Sequence, residues 1–495
     1  MRTTIAIAVV LMLVVAGCSQ APGTGTTDMD ANTTDATTDR QDVVIKPDDP
    51  ESDVLGWEDG LWYNETIDVT PEDGLNETEL NQTVSRSMAR VERIRELEFE
   101  DRVSVEIVTR DEFRDEQSNS TTSDDSRLFD NAKYESLFMI DESTDSIAVQ
   151  NNNSGASVGG YYDPTNKEIV VVSENTSTPQ LDEITLSQEL FHALQDQKFN
   201  FSSFNQSTRE LHNAKDGIIE GDGNYVDYLY SQRCEDEWNG DCLTPETPSS
   251  ESSSSGLANI GPYLLNFQPY SDGPAFVRNI KNEGGWEAVN EVYENSPEST
   301  EQTIHPEKYG TDSPAEFGVE NRASDGWERL TFEDRPNYGS VGEAGMMAMF
   351  MYPYYDSEGQ TQIVPARNFF NRAAGTSQLS KIDPLNYNST YSTGWDGDKL
   401  AVYTNDDAET NETGYVWKSV WDSEQDASEF AEGYREVLTY NGAKKLDGYE
   451  NTLRISDGGF ADAFYVQQQG DTVVVVNAPS VSELSNVRQG AAPEA

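Results

Sequence analysis

Two polar stripes on neighbouring helical segments constrain the fold of this 495-residue chain more than any other feature. The segment SQELFHALQDQ carries Glu189 and His192 among leucines at helical spacing, and the later segment DGIIEGDG carries Glu220. Side chains three and four positions apart on a helix share one face. Because buried polar groups need partners, we expect the two helices to pack with these stripes facing each other.

The first stripe has the spacing of a zinc-binding helix with one residue changed. In the pattern His-Glu-x-x-His, the two His nitrogens bind zinc and the Glu takes a proton from the metal-bound water. Here Gln188 replaces the first His, Glu189 is the candidate catalytic base, and His192 and Glu220 are the candidate metal ligands. The amide oxygen of Gln188 is a poor zinc ligand beside imidazole. We therefore expect zinc to be the cofactor only with weak affinity.

Two carboxylates lie one helical turn from these candidates. Asp196 follows His192 and is predicted to accept the proton of its second ring nitrogen. Asp216 precedes Glu220 on the same face. Both are therefore predicted to support the metal ligands from outside the metal's own coordination shell.

A plainer interpretation of the same helix is an ordinary core element. Leu186, Leu190 and Leu194 supply an apolar face of the kind that amphipathic helices pack against a core. The remaining histidines, His212 and His305, are alternative replacement ligands, although His305 beside a proline is also typical of a packed or capping residue.

The N-terminus has the composition of a lipoprotein signal. MRTTIAIAVVLMLVVAGC contains one Arg, an apolar run too short to span a bilayer and the small-residue box VAGC. We predict a signal peptide over residues 1–17, lipid attachment at Cys18 and a location outside the cytoplasm, anchored to the membrane surface. A plain secretory signal followed by an incidental cysteine is the alternative.

Acidity runs along the whole chain, which has 90 Asp plus Glu, 33 Lys plus Arg and a net charge of −57. This charge excludes nucleic acid as a partner. At molar salt the Debye length is about 3 Å, so repulsion between the carboxylates is screened and the chain can fold with such an acidic surface. The composition therefore indicates an exported protein of a halophile.

The two remaining cysteines, Cys234 and Cys242, are predicted to form a disulfide, because an exported compartment permits oxidation. The pattern N-x-S/T also recurs, as is typical of a glycosylated surface protein. Its positions are Asn32, Asn64, Asn76, Asn81, Asn119, Asn152, Asn175, Asn200, Asn205, Asn388 and Asn411.

Several motifs together resemble a family of zincin-like proteins of bacteria and archaea, whose pattern is a YDP strand, an HExxHALQDQ helix and a helix with EGDA. The matching segments are YYDPTNKEIVVV, QELFHALQDQ and EGDG, and similarity continues through FVRNIKNEGGWEAVNEVY, STEQTIHPEKY, GWDGDKLAVY and VWDSEQDASEFAEGY over most of residues 76–480. The lipobox and the acidity resemble its haloarchaeal surface-lipoprotein branch. The resemblance implies a zincin-like fold, Glu189 as general base, and His192 and Glu220 as metal ligands.

The chain departs from that pattern at Gln188, where the family has His, and at Gly223, where it has Ala. The missing ligand favours a degenerate metallopeptidase domain that acts in binding or in an envelope function. Two alternatives stay open: an active zinc metallopeptidase that cleaves extracellular peptides with Gln188 or His305 as a further ligand, and a purely structural envelope protein. A peptide or an envelope protein is the expected partner, besides the membrane.

Two low-complexity stretches divide the chain: an N-terminal tether over 18–55 and a serine-rich linker over 244–256. Between them, the order of predicted elements is helix, strand, helix, strand and two long helices. We therefore predict an α+β fold with a zincin-like domain over 56–243, which combines a small sheet with the two motif-bearing helices. A helical segment over 257–333 and a C-terminal α+β region over 334–495 are predicted to follow.

Overall fold

The structure is a computed structural model that describes residues 49–69, 73–113, 122–173, 175–199, 204–238, 242–244, 257–405 and 413–494. The predicted signal peptide, Cys18 and most of the predicted tether and linker lie outside the described residues. Within the described ranges, no helix combines the length and the apolar character needed to cross a bilayer.

The first half of the chain combines a three-stranded sheet with long helices. Its elements are β1 (Trp57–Glu58), β2 (Leu61–Trp62), α1 (Glu77–Arg95), β3 (Ser104–Val108), α2 (Asp124–Ser136), α3 (Ser146–Ser157), β4 (Gly160–Asp163), β5 (Glu168–Val172), α4 (Glu183–Lys198) and α5 (Arg209–Asp236). The sheet order is β3-β5-β4, with β3 parallel and β4 antiparallel to β5. The segment YYDPTNKEIVVV therefore forms a hairpin beside the motif helix α4.

The two motif helices start at polar caps that fix which residues face the core. The carboxylate of Asp182 accepts hydrogen bonds from the first N–H groups of α4, and the Thr208 hydroxyl does the same for α5. Leu186, Leu190 and Leu194 of α4 are then buried in one cluster with residues of α1, α5 and α6. The predicted apolar face is confirmed. Its burial fixes the rotation of α4 about its axis and thereby the direction in which the polar stripe points.

The second half is a larger antiparallel sheet covered by helices. Its elements are α6 (Ile260–Glu294), α7 (Thr300–Ile304), a 3₁₀ turn (Pro306–Lys308), β6 (Trp327–Arg329), α8 (Gly342–Asp356), α9 (Ala366–Phe369), β7 (Trp395–Asn405), β8 (Thr413–Trp421), α10 (Glu424–Tyr440), β9 (Lys444–Lys445), β10 (Thr452–Arg454), β11 (Ala463–Gln469), β12 (Thr472–Ala478) and α11 (Val481–Val487). The sheet has seven strands in the order β6-β7-β8-β12-β11-β10-β9. Strand β6 lies within residues 257–333, which were predicted to be helical, so that part of the prediction is wrong. These residues form a strand because they pair with β7, which is distant in sequence.

The cores of the two halves do not separate at the serine-rich linker. Phe129 and Tyr134 of α2 are buried in the same cluster as Trp417 and Phe430 of the C-terminal region. Helix α6 packs on both α5 and α8. The mixed helices and sheets confirm the α+β class, and the segments before and after residues 244–256 share one core.

Candidate functional site

Helices α4 and α5 bring His192 and Glu220 together, as predicted. The Nε2 atom of His192 lies 3.6 Å from Oε2 of Glu220. Each residue is only 1% exposed. Among the described residues, neither of these two atoms has a hydrogen-bond partner. The polar stripes of the two helices therefore face each other inside the protein.

Gln195 holds the second ring nitrogen of His192, so the prediction that Asp196 does so is wrong. Oε1 of Gln195 lies 2.7 Å from Nδ1 of His192. Its amide nitrogen donates to the carbonyl of Ile219 at 2.9 Å and to the hydroxyl of Tyr293 at 2.5 Å. The amide of Gln195 is thus fixed on both sides, and it fixes the imidazole ring in turn.

Asp196 faces the β4–β5 hairpin instead. Its carboxylate accepts a hydrogen bond from the Tyr162 hydroxyl at 2.7 Å and pairs with Lys167 at 2.5 Å. These partners belong to a hairpin whose position along α4 is set by tertiary packing. The spacing of one helical turn was therefore insufficient to assign the partner of His192.

A chain of hydrogen bonds connects Gln195 to a buried ion pair. The Tyr293 hydroxyl, which accepts from Gln195, donates to Asp222 at 2.8 Å. Asp222 also pairs with Arg95 of α1 at 3.0 Å, and both charged side chains are fully buried. The orientation of His192 therefore depends on residues of α1, α4, α5 and α6 together.

Glu189, the candidate catalytic base, is also buried between the helices and the hairpin, with 1% of its surface exposed. Burial, with a smaller effect of the Asp227 carboxylate, raises the pKa of Glu189 to about 8, although the backbone N–H of Tyr162 opposes this shift. Among the described residues its carboxyl has no side-chain hydrogen-bond partner. At neutral pH this group consequently holds its proton.

The α5 stripe continues from Glu220 to Asp216 and His212. Burial, followed by the Asp216 and Glu189 carboxylates, raises the pKa of Glu220 well above its usual range, while a hydrogen bond from Tyr270 of α6 lowers it. Asp216 lies one turn from Glu220 as predicted, and its Oδ2 is 3.2 Å from Nε2 of His212. His212 is thus paired along its own helix.

His305 is engaged elsewhere in the fold. Its Nε2 lies 3.1 Å from the carboxylate of Glu343, at the start of α8. His305 also caps the short helix α7 and precedes the 3₁₀ turn. These contacts agree with the packed or capping role rather than with that of a replacement ligand.

The residues at the motif do not fit a three-ligand zinc site. His192 and Glu220 supply two donors at a spacing that a metal bridges, but Gln188 supplies only an amide where the pattern has imidazole. Within the described ranges, groups of three or more His, Cys, Asp or Glu side chains with donor atoms mutually within 4.8 Å occur at two places. Neither group includes His192.

Helix α6 covers the His192–Glu220 pair. A Cβ atom on Gly221 of α5 would lie 2.5 Å from the backbone of Gly273 in α6, so the two helices touch backbone to backbone. From this contact Tyr270 reaches the Glu220 carboxyl. A cavity of 520 Å³ lies farther along α6, and its lining, which includes Asp272 and Arg278, contains none of the motif residues.

Gly223 makes room for the observed position of the imidazole ring. A Cβ atom at this position would lie 2.9 Å from Cε1 of His192. An alanine, which the resembling family has here, would press on the ring. Gly223 of α5 thus lies directly against the imidazole ring of His192.

Sequence reasoning missed a second buried cluster, at the start of α4. The Glu183 carboxylate accepts from Arg86 at 2.8 Å, Arg90 at 2.5 Å and the Tyr230 hydroxyl at 2.6 Å. The backbone N–H of Leu243 also donates to it, at 2.8 Å. The signal in the sequence was two arginines four residues apart, which lie on one face of α1.

The predicted disulfide between Cys234 and Cys242 is confirmed, with Cα atoms 5.8 Å apart. Nη1 of Arg90 lies 3.2 Å from the sulfur of Cys242. The disulfide therefore holds the chain after α5 against the Glu183 cluster.

Comparison with known proteins gives a family match. A family model described as a domain of unknown function, DUF8575, matches residues 328–488. This range runs from strand β6 to helix α11 and thus covers the seven-stranded sheet. No curated protein matches the chain. No solved structure matches it either.

Proposed function

We propose that this chain is a cell-surface lipoprotein whose zincin-like domain is degenerate and does not hydrolyse peptides. One observation carries the proposal: His192 and Glu220 form a two-donor pair that is buried beneath α6, with Gln188 in place of the remaining ligand. A hydrolytic zinc site needs three protein ligands and an open position for water and substrate. The arrangement supports neither requirement.

The role that remains is a non-catalytic one in the cell envelope. The contact between Gly221 and Gly273 packs α6 directly on α5 beside Glu220, where the motif is buried. Burial of the motif in this way favours a structural envelope role over ligand binding at the former active site. Peptide or protein partners then bind at another surface.

The surface location is supported by the sequence of the N-terminus. Mass spectrometry of the mature protein purified from a native or related host tests it directly. We expect a chain that begins at Cys18 and carries a lipid on that residue. An unmodified chain cut at another position would contradict the lipoprotein proposal.

Zinc content tests the loss of catalysis. Wild type and Gln188→His are dialysed against trace zinc in molar salt, and zinc per chain is measured by elemental analysis. We expect little zinc in wild type, because loss of one direct ligand weakens binding more than the 10- to 100-fold that supporting residues contribute. Gln188→His should gain zinc, and Gln188→His combined with His192→Ala should lose it again.

The active-peptidase alternative predicts the opposite result. Stoichiometric zinc in wild type, lost on His192→Ala and accompanied by peptide hydrolysis, would overturn the proposal. His305→Ala is a further control, which should leave zinc content unchanged because His305 pairs with Glu343. Failure of Gln188→His to gain zinc would contradict the descent from a zinc site.

A further inference from the structure

The cavity beside α6 is formed by three separate parts of the chain. Its volume of 520 Å³ lies within the range of about 300–1,000 Å³ that sites for small organic molecules occupy. Asp272 and Arg278 of α6 line one side. Thr303 of α7 lines another, and Asp383 comes from the loop between α9 and β7. Polar groups of both charges therefore converge on one concave site.

Asp272 is the buried charged group of this cavity. It is 7% exposed, and in the described part of the chain no basic side chain lies within ion-pair distance of its carboxylate. Burial, followed by the Asp383 carboxylate, raises the pKa of Asp272 well above its usual range, while hydrogen bonds from Gln268 and from its own backbone N–H oppose the shift. A positively charged ligand would supply the basic partner that Asp272 does not find among the described residues.

Hydrogen bonds between α6 and α7 fix the orientation of that carboxylate. The Thr303 hydroxyl donates to the carbonyl of Thr300 at 2.8 Å, so it must accept from the Gln268 amide, which lies 3.0 Å away. The same amide nitrogen lies 3.4 Å from Oδ2 of Asp272. Gln268 and Thr303 are 0% and 1% exposed, so these contacts are shielded from water. The carboxylate is thus held in place before a ligand binds, which lowers the entropic cost of binding.

Arg278 contributes a guanidinium group to the same cavity. The residue is exposed, and within the described ranges its guanidinium forms no ion pair or hydrogen bond. It lies close enough to Asp383 to lower the pKa of that carboxyl, against the larger opposite effect of burial. Asn371 donates a hydrogen bond to Asp383 at 2.9 Å. The cavity thus presents two carboxylates and one guanidinium, a net charge of −1 when all three are ionised.

We propose that this cavity binds a free basic amino acid of the lysine or arginine type. Such a molecule has two cationic groups and one carboxylate at neutral pH, which complement the two carboxylates and one guanidinium of the cavity. Its cationic groups bind Asp272 and Asp383, and its carboxylate binds Arg278, whose guanidinium suits carboxylate geometry. Ala275 and Ile304 supply apolar surface for its methylene groups. The inference is independent of the proposed loss of catalysis, because the motif residues lie outside this lining.

Calorimetric titration of the full mature chain in molar KCl tests the ligand class. We expect wild type to bind one L-lysine per chain. Norleucine lacks the second ammonium group of lysine, and cadaverine lacks its carboxylate. Each should bind at least about tenfold more weakly than lysine, because one charged group of the cavity then stays without a partner. Absence of binding by both L-lysine and L-arginine would overturn the proposal, and so would norleucine or cadaverine binding as tightly as lysine.

Variants of the two charged α6 residues test the site itself. Asp272→Asn should weaken lysine binding by at least about tenfold. Arg278→Gln should also weaken lysine binding but leave the affinity for cadaverine unchanged, because cadaverine has no carboxylate for the guanidinium. Thermal unfolding without ligand checks that each variant is folded. Because Arg278 is exposed, its variant tests the site even if Asp272→Asn does not fold.

Asp227→Asn is the matched control on the neighbouring helix α5. Burial, followed by the Asp182 carboxylate, raises the pKa of Asp227 to about 8, yet this residue lies outside the cavity lining. The control variant should therefore bind lysine as wild type does. Full lysine affinity in both Asp272→Asn and Arg278→Gln, or loss of lysine binding in folded Asp227→Asn, would show that the cavity is not the site.

Discussion

Glu183 and Glu189, at the two ends of a stretch of α4 less than two turns long, are buried carboxyl groups with opposite pKa shifts. Glu183, in the first turn, is 0% exposed and its pKa is lowered, because Arg86 and Arg90 outweigh the effect of burial. Glu189, less than two turns later, is 1% exposed and its pKa is raised to about 8, because burial acts there without a basic partner. The same helix therefore contains a carboxylate that two arginines compensate and a carboxyl group that has no basic partner.

This difference separates a cluster whose polar groups are partnered from one that retains polar groups without partners. Around Glu183, donors from α1, α5 and the chain near Leu243 converge on one carboxylate. Around Glu189 and His192, the carboxyl oxygens and the Nε2 atom are buried, and among the described residues they have no side-chain hydrogen-bond partner. Proteins rarely retain unpartnered buried polar groups unless a ligand or a reaction uses them, or once did.

Removing the charge at the compensated end should give the largest effect. Glu183→Gln leaves Arg86 and Arg90 buried beside a neutral amide, and loss of one partner of a buried ion pair costs about 3–5 kcal/mol. Urea unfolding in molar salt measures the change. Glu189→Gln is the matched control on the same helix, and it should not lower the unfolding free energy at pH 7, because Glu189 has no basic partner that the substitution would leave unpaired. Equal losses in the two variants would remove the distinction between the two ends.

The two ends should also respond to pH with opposite signs. Because the folded-state pKa of Glu189 is about 8, above its ordinary 4.5, its stabilising contribution is complete below pH 4.5 and is lost as pH rises through 8. The contribution of Glu183, whose pKa is lowered, is present above 4.5 and is lost as pH falls below its folded-state pKa. Unfolding free energies at pH 5 and pH 8 should show wild type losing stability relative to Glu189→Gln, by on the order of 2–4 kcal/mol. A parallel pH dependence of these two proteins would refute the assignment.

A smaller effect is expected from Gly223→Ala, which probes the space around His192. The added Cβ would lie 2.9 Å from the imidazole ring, and such overpacking costs about 1–3 kcal/mol. In a His192→Ala background the same substitution should cost much less, because the ring is gone. Chemical denaturation of all four proteins in a double-mutant cycle measures the coupling. Absence of coupling would show that Gly223 serves another purpose.

The sequence by itself determined the elements that depend on local patterns. Helices α4 and α5 follow from the spacing of their apolar and polar residues and form where expected, and the segment YYDPTNKEIVVV, expected to be a strand, forms the two strands of the β4–β5 hairpin. The facing of His192 and Glu220 also followed, because two polar stripes on apolar helices have few ways to be buried. The disulfide followed from two nearby cysteines in a chain predicted to be exported.

Only the tertiary structure decided which neighbour each side chain received. In the folded protein His192 contacts Gln195, Asp196 contacts the β4–β5 hairpin, and α6 packs on the motif helix α5. It also added α2 to the C-terminal core and formed β6 by pairing it with the distant strand β7. The physical reason is that periodicity tells which face of an element is buried, whereas the partner of that face comes from residues tens to hundreds of positions away.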